Sequence, residues 1–120
     1  MILGFKPQFK PKILDGTKIH TIREDKQDRW KIGYWIHFAC GVRTKNYECF
    51  KQDICCGTQK IEIKWIDSTF VRVWVDDRPL AGIEVAALAR QDGFENERQF
   101  FEWFDKDFKG KIIHWTNFKY

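Results

Sequence analysis

The 120-residue chain has no hydrophobic run approaching the roughly 18 to 20 residues that a bilayer span requires. It also lacks the basic start followed by an apolar stretch that directs secretion, so a cytoplasmic protein with no membrane partner is expected. Cysteine is scarce and badly spaced for metal chemistry. Cys40, Cys49, Cys55 and Cys56 include no CxxC pair and no HxxxH partner comes after them, so neither a metal nor a cofactor is expected. Without a secretion signal, reduced thiols are expected rather than disulfides, with Cys40 as a small core residue. Proline is nearly absent, and there is no low-complexity segment, linker, internal repeat or βαβ alternation. That excludes solenoids, arrays and doubly wound sheets, and leaves a single domain spanning residues 1–120.

What the chain does have is rings and charge. Six Trp and eleven Phe raise the aromatic share to 17%, against 43% apolar residues in all. Such rings fill a small core, or some of them face a groove and stack on bases. Lys and Arg number 21 against 17 Asp and Glu, a net charge of +4 that permits a nucleic-acid partner without demanding one.

Residues 1–5 read as a first strand, and Lys10 to Leu14 as a turn of helix with a proline near its start. Glu24 to Arg29 is a charged loop. Tyr34 to Cys40 reads as a largely buried strand, Gly41 to Lys45 as a basic turn, and Asn46 to Ile54 as a continuation with Tyr47, Cys49 and Phe50 packing inward. Lys60 to Asp67 alternates apolar and charged residues, as a strand with one wet face does. A turn at Asp67-Ser68 leads to a second strand, Thr69 to Val75, closed by a loop over residues 76–79. Leu80 to Gln91 carries helical spacing in Leu80, Ile83, Glu84, Ala87, Leu88 and Gln91, and stops at Asp92-Gly93. Asn96 caps a second helix whose aromatic stripe runs through Phe100, Phe101, Trp103, Phe104 and Phe108 to Gly110. Lys111 to Phe118 forms the last strand. About six strands and two or three short helices make an α+β protein built on a small, mixed, barrel-like sheet.

One stretch is crowded with chemistry: Asp15-Gly16-Thr17-Lys18-Ile19-His20-Thr21-Ile22-Arg23-Glu24-Asp25. Gly16 lets the chain bend, and the residues after it read as extended. Strict alternation puts Lys18 and Thr21 on opposite faces, so for them to act together Lys18 must still lie on the bend; a helical reading would place them on one face at i and i+3. Arg23 suits an anionic group, because its guanidinium is a rigid fork of donors, or it simply pairs with Glu24 and Asp25. Trp30 and Trp115 are the candidate groove walls. His20, His37 and His114 are expected to pack rather than to act.

The order Gly16-x-Lys18-x-x-Thr21-x-Arg23, then Trp30-Lys31-x-Gly33 and later Leu88-Ala89-Arg90-x-Asp92-Gly93-Phe94, resembles the ASCH domain family, a branch of the PUA-like fold. The resemblance covers most of the chain. It implies a small β-barrel with helices packed at its mouth, and binding of RNA or a modified nucleoside. Some members of that family are amidohydrolases that remove an acyl group from the exocyclic amine of cytidine, and others are described as ribonucleases. By that resemblance Lys18 is the base and Thr21 the nucleophile, with Glu95 or Asp92 as the third member. A threonine hydroxyl needs such a base, and a desolvated lysine can supply one. The ligand-binding set is Gly16, Lys18, Arg23, Trp30 and Trp115. Binding asks only for the fold and a basic cleft, whereas hydrolysis also asks for the carboxylate, so binding ranks first. A protein-interaction domain is a third reading.

Overall fold

The computed structural model describes residues 1–120. In order come β1 (Ile2–Gly4), a 3-10 turn (Pro7–Phe9), α1 (Lys10–Asp15), β2 (His20–Arg23), β3 (Trp35–Cys40) and β4 (Glu48–Ile54). Next are β5 (Gly57–Trp65), β6 (Val71–Val75), β7 (Arg78–Pro79), α2 (Gly82–Gln91), α3 (Glu97–Trp103) and β8 (Phe108–His114). The fold is α+β, with a three-stranded sheet in the order β1-β3-β4 and a five-stranded sheet in the order β2-β8-β5-β6-β7. Every pairing is antiparallel except β1 with β3, where Ile2 lies opposite His37. The two sheets are not joined into one closed ring. The chain passes between them at Cys55-Cys56, where Cys55 N–H bonds to Tyr34 O at 2.7 Å and Cys56 N–H to His114 O at 2.8 Å. No helix is long and apolar enough to cross a membrane.

One hydrophobic cluster lies between the sheets and the helices, built from Ile36 and Phe38, Ile61 and Ile63, Ile112 and Ile113, and Leu88 and Phe100. The alternation in β5 does what it forecasts: Ile61 and Ile63 are buried, and Lys60 and Lys64 are exposed.

Several expectations are corrected. The aromatic stripe does not carry helix to Gly110. α3 ends at Trp103, and Phe108 and Gly110 belong to β8, which starts earlier than expected and stops at His114. Gly110 is required there, since a Cβ on it would lie 2.4 Å from Arg23 O. Residues 76–79 are not simply a loop: Asp76 and Asp77, at φ 49° and 66°, make a two-residue hairpin turn from β6 into β7. In α2 the buried face is Val85, Leu88 and Ala89, whereas Ile83 is exposed. Tyr47 and Cys49 are exposed as well, since β4 is an edge strand; Phe50 alone of that trio packs on the core. Cys55, rather than Cys40, is the buried cysteine, and all four thiols are free.

Candidate functional site

Two helix ends and one bend build the site. α1 stops where Gly16 takes φ 85°, and the chain folds back so that Lys18 N–H reaches Lys12 O at 3.0 Å. Lys18 therefore lies on the bend, before β2 begins. One residue further on, Ile19 N–H bonds to Gln91 O at 2.9 Å, which clips the bend to the end of α2. That end is closed by Gly93 at φ 99°, with Phe94 N–H bonded to Ala89 O at 3.0 Å. Gly93 has a second duty, because a Cβ there would meet Lys18 Cδ and Phe9 Cδ1 at 2.9 Å each.

The C-terminus of α2 presents unpaired carbonyls at the negative end of the helix dipole, and two lysines take them. Lys12 Nζ donates to Gly93 O at 2.8 Å, and Lys18 Nζ to Asp92 O at 2.5 Å and to Asp92 Oδ1 at 3.2 Å. Lys18 is only 3% exposed and its amine sits over the rings of Phe9 and Phe5, 5.1 and 5.7 Å from their centroids. Burial pushes the amine below the ordinary lysine range, and Asp92 opposes that shift without cancelling it.

Behind Asp92 runs a buried polar chain. His20 Nδ1 lies 3.2 Å from Asp92 Oδ1, and His20 Nε2 is 2.5 Å from the Tyr120 hydroxyl, itself 2.5 Å from Gln91 Oε1. Burial holds His20 below its usual range, and its two ring nitrogens face the Asp92 carboxylate and the oxygen of a phenol that donates to Gln91 Oε1. Burial and Asp92 push the Tyr120 phenol up, which keeps its proton in place. Gln59 pins the Tyr120 backbone, accepting from its N–H at 2.9 Å and donating to its carbonyl at 3.0 Å. Across the β2/β8 pair, His114 lies opposite His20. It donates from Nε2 to Gln59 Oε1 at 3.0 Å, which leaves Nδ1 without a partner. Burial, His20 and Lys119 together lower its pKa to about 3.

In front of Asp92 opens a cleft of about 290 Å³, lined by Lys18, Thr21, Arg23 and Asp92 and walled by Phe5, Phe9, Phe94 and Trp103. The Arg23 guanidinium lies over the Phe5 ring, 5.0 Å from its centroid. It donates from Nη2 to Gly4 O at 2.6 Å, linking the two sheets, and from Nε to Thr21 Oγ1 at 3.3 Å. It pairs with neither Glu24 nor Asp25. The Asp25 carboxylate is taken by Lys111 at 3.1 Å and by the backbone N–H groups of Arg29 and Trp30. The cleft thus holds a guanidinium with three donors to spare and no carboxylate of its own. The Thr21 hydroxyl is hydrogen-bonded to Arg23 and not to Lys18.

The other expected site residues lie elsewhere. Glu95 is exposed and pairs with Lys12 at 2.8 Å, outside the cleft, because it comes after the turn that keeps Asp92 inside. Gly16 caps α1 and does not line the cleft. Trp115 is core, packed edge-on to Phe38 at 4.8 Å. Trp30 is buried and borders a different depression, an open groove lined also by Glu24, Asp25, Arg29, Arg43 and Tyr47, which shares Gly4 with the cleft lining. The ring that walls the cleft and is still 46% exposed is Trp103, with the Lys6 amine 5.2 Å from its centroid. Its place in a helical stripe pointed to core. Nor did their positions single out His20 and Tyr120, whose partners lie 72 and 100 residues away. No three His, Cys, Asp or Glu side chains come together in a metal-holding group. No family model, curated protein or solved structure matches the chain.

Proposed function

We propose that the chain is an ASCH-type domain of the PUA-like class whose cleft receives a nucleobase or nucleoside of RNA. The supporting observation is the union, in one small cleft, of an exposed ring, Trp103, with an unpaired guanidinium, Arg23. A base stacks on the ring, and a phosphate or a carbonyl oxygen takes the free donors. A second groove, which shares Gly4 with the cleft lining, offers Arg29, Arg43 and Tyr47 beside Glu24 and Asp25 to neighbouring nucleotides. RNA binding should therefore weaken steeply with salt and lose about 1–3 kcal/mol in Trp103→Ala. No binding at low salt, or binding indifferent to salt, refutes this reading.

A second reading is favoured by the position of Asp92. Lys18, Thr21 and a carboxylate line the same cleft, the set that removal of an acyl group from cytidine would use. Arg23 Nε–H polarises the Thr21 oxygen, and a neutral Lys18 amine takes the hydroxyl proton once the ligand draws the two together. Turnover of acetylcytidine by wild type, with loss in Lys18→Ala, Thr21→Ala and Asp92→Ala, supports it. Equal rates in all four refute the assigned roles.

A further inference from the structure

The amine of Lys18 is arranged as a nucleophile in its own right. As a neutral amine it has two N–H bonds, and both find acceptors on Asp92, the carbonyl at 2.5 Å and Oδ1 at 3.2 Å. Its lone pair is then not engaged by Asp92, and the residue lines the cleft. The Thr21 hydroxyl does not occupy that lone pair, since that group is held by Arg23 Nε. Phe5 and Phe9 lie beneath the amine and keep it poorly hydrated, and burial lowers its basicity. A desolvated lysine beside a second cation is the arrangement that makes amines attack carbonyl carbon. That second cation is Arg23, over the same Phe5 ring as Lys18 and with donors to spare.

We propose that Lys18 forms a reversible imine with an aldehyde carried next to an anionic group, the anion being held by Arg23. This extends the proposed ligand binding to a covalent step and rests only on the cleft being a ligand site, not on the ligand being an intact nucleoside. The lone pair on Nζ attacks the carbonyl carbon, a C–N bond forms, and the C=O π pair moves to oxygen, which is protonated. Asp92 Oδ1 relays both nitrogen protons to that oxygen in turn, the first making the hydroxyl of the carbinolamine and the second making it leave as water. Water departs and C=N remains. No electrons are gained or lost, so no oxidant or reductant is needed. Two sources carry this chemistry: the ring-opened sugar at an abasic position of a nucleic-acid strand, flanked by phosphates, and a free sugar phosphate.

The test traps the imine with cyanoborohydride, which reduces C=N to a stable secondary amine. Wild-type protein is incubated at neutral pH with either a single-stranded oligonucleotide bearing an abasic site or ribose 5-phosphate, and adducts are located by peptide mass spectrometry. Lys18 should be labelled faster than any other lysine, because its buried amine is less basic and opens into the cleft. Preference for one probe identifies the source, and either preference supports the proposal. Lys18→Arg, with its fold checked by urea unfolding, should lose the fast-forming adduct. Lys18 labelled no faster than surface lysines with both probes, or a fast adduct surviving in Lys18→Arg, overturns it. A cytidine titration on the same sample separates this from the nucleoside reading. Saturable cytidine binding without a Lys18 adduct removes the imine alone, and an adduct without cytidine binding removes the nucleoside alone.

Discussion

Replacing Gly93 by alanine tests the geometry of the site without touching a polar group. Two costs fall on that position. An L-residue at φ 99° carries left-handed strain of about 1–2 kcal/mol, of which about 0.4–1 is offset because alanine stiffens the unfolded chain. The new Cβ also meets Lys18 Cδ and Phe9 Cδ1 at 2.9 Å. Neither gives way freely: Lys18 is tied to Asp92 at its far end, and Phe9 is wedged edge-on against Phe94 and Trp103 at 5.5 and 5.7 Å. Overpacking of this kind adds about 1–3 kcal/mol. Gly16 supplies the control, since at φ 85° it carries similar strain with nothing within 4 Å of its Cβ. Gly16→Ala should therefore cost on the order of 0.5–1 kcal/mol and Gly93→Ala about 2–4, a difference of roughly 3–5 °C in melting temperature per kcal/mol. Urea unfolding of both variants reads the gap directly. Equal destabilisation of the two refutes the close approach of Lys18 to the α2 terminus.

Three further outcomes rest on the same contacts. Tyr120→Phe removes the hydroxyl between His20 and Gln91 and should destabilise the protein by about 1–3 kcal/mol in urea unfolding, with unchanged stability counting against the relay. His114, with a folded pKa of about 3, and His20, also lowered, bind protons more readily when unfolded, so their neutral forms support the fold above the usual histidine value. As pH falls from about 6.5 to 5.5, above the carboxylate range, stability should drop by on the order of 1 kcal/mol; a gain over that window contradicts their neutral burial. Trp115→Ala should cost about 3–5 kcal/mol of stability as a core truncation, whereas Trp103→Ala, at a half-exposed ring, should cost clearly less and lower nucleoside affinity.

The α+β class and most elements were legible from local pattern. β5 was readable because its alternation spans one wet and one dry face, and the end of α2 because Asp92-Gly93 carries its own stop signal. The crowding of Lys18, Thr21 and Arg23 within one cleft is likewise a local matter, set by the bend at Gly16. What escaped depends on packing at a distance. Phe100, Phe104 and Phe108 fit a helical stripe whichever element comes next, and it is the distant pairing of Phe108 and Gly110 with Ile63 and Ile61 of β5 that makes the chain a strand there. Trp103 and Trp115 are the same residue type in ring-rich segments, and neighbours far along the chain decide that one is exposed and the other buried. The choice between Asp92 and Glu95 turns on the bend at Gly93: before it the Asp92 carboxylate faces Lys18, and beyond Phe94 the Glu95 carboxylate lies outside the cleft on Lys12.

The most direct test of a nucleoside-binding cleft is a cytidine titration monitored by nitrogen-detected NMR of the backbone and of the Trp103, Arg23 and Lys18 side chains. Saturable shifts are expected at the Trp103 indole N–H, Arg23 Nε–H, Lys18 Nζ and the Thr21 and Gly93 amides, all around the one cleft. No saturable change at these groups, or shifts confined to residues outside the cleft, contradicts nucleoside binding there.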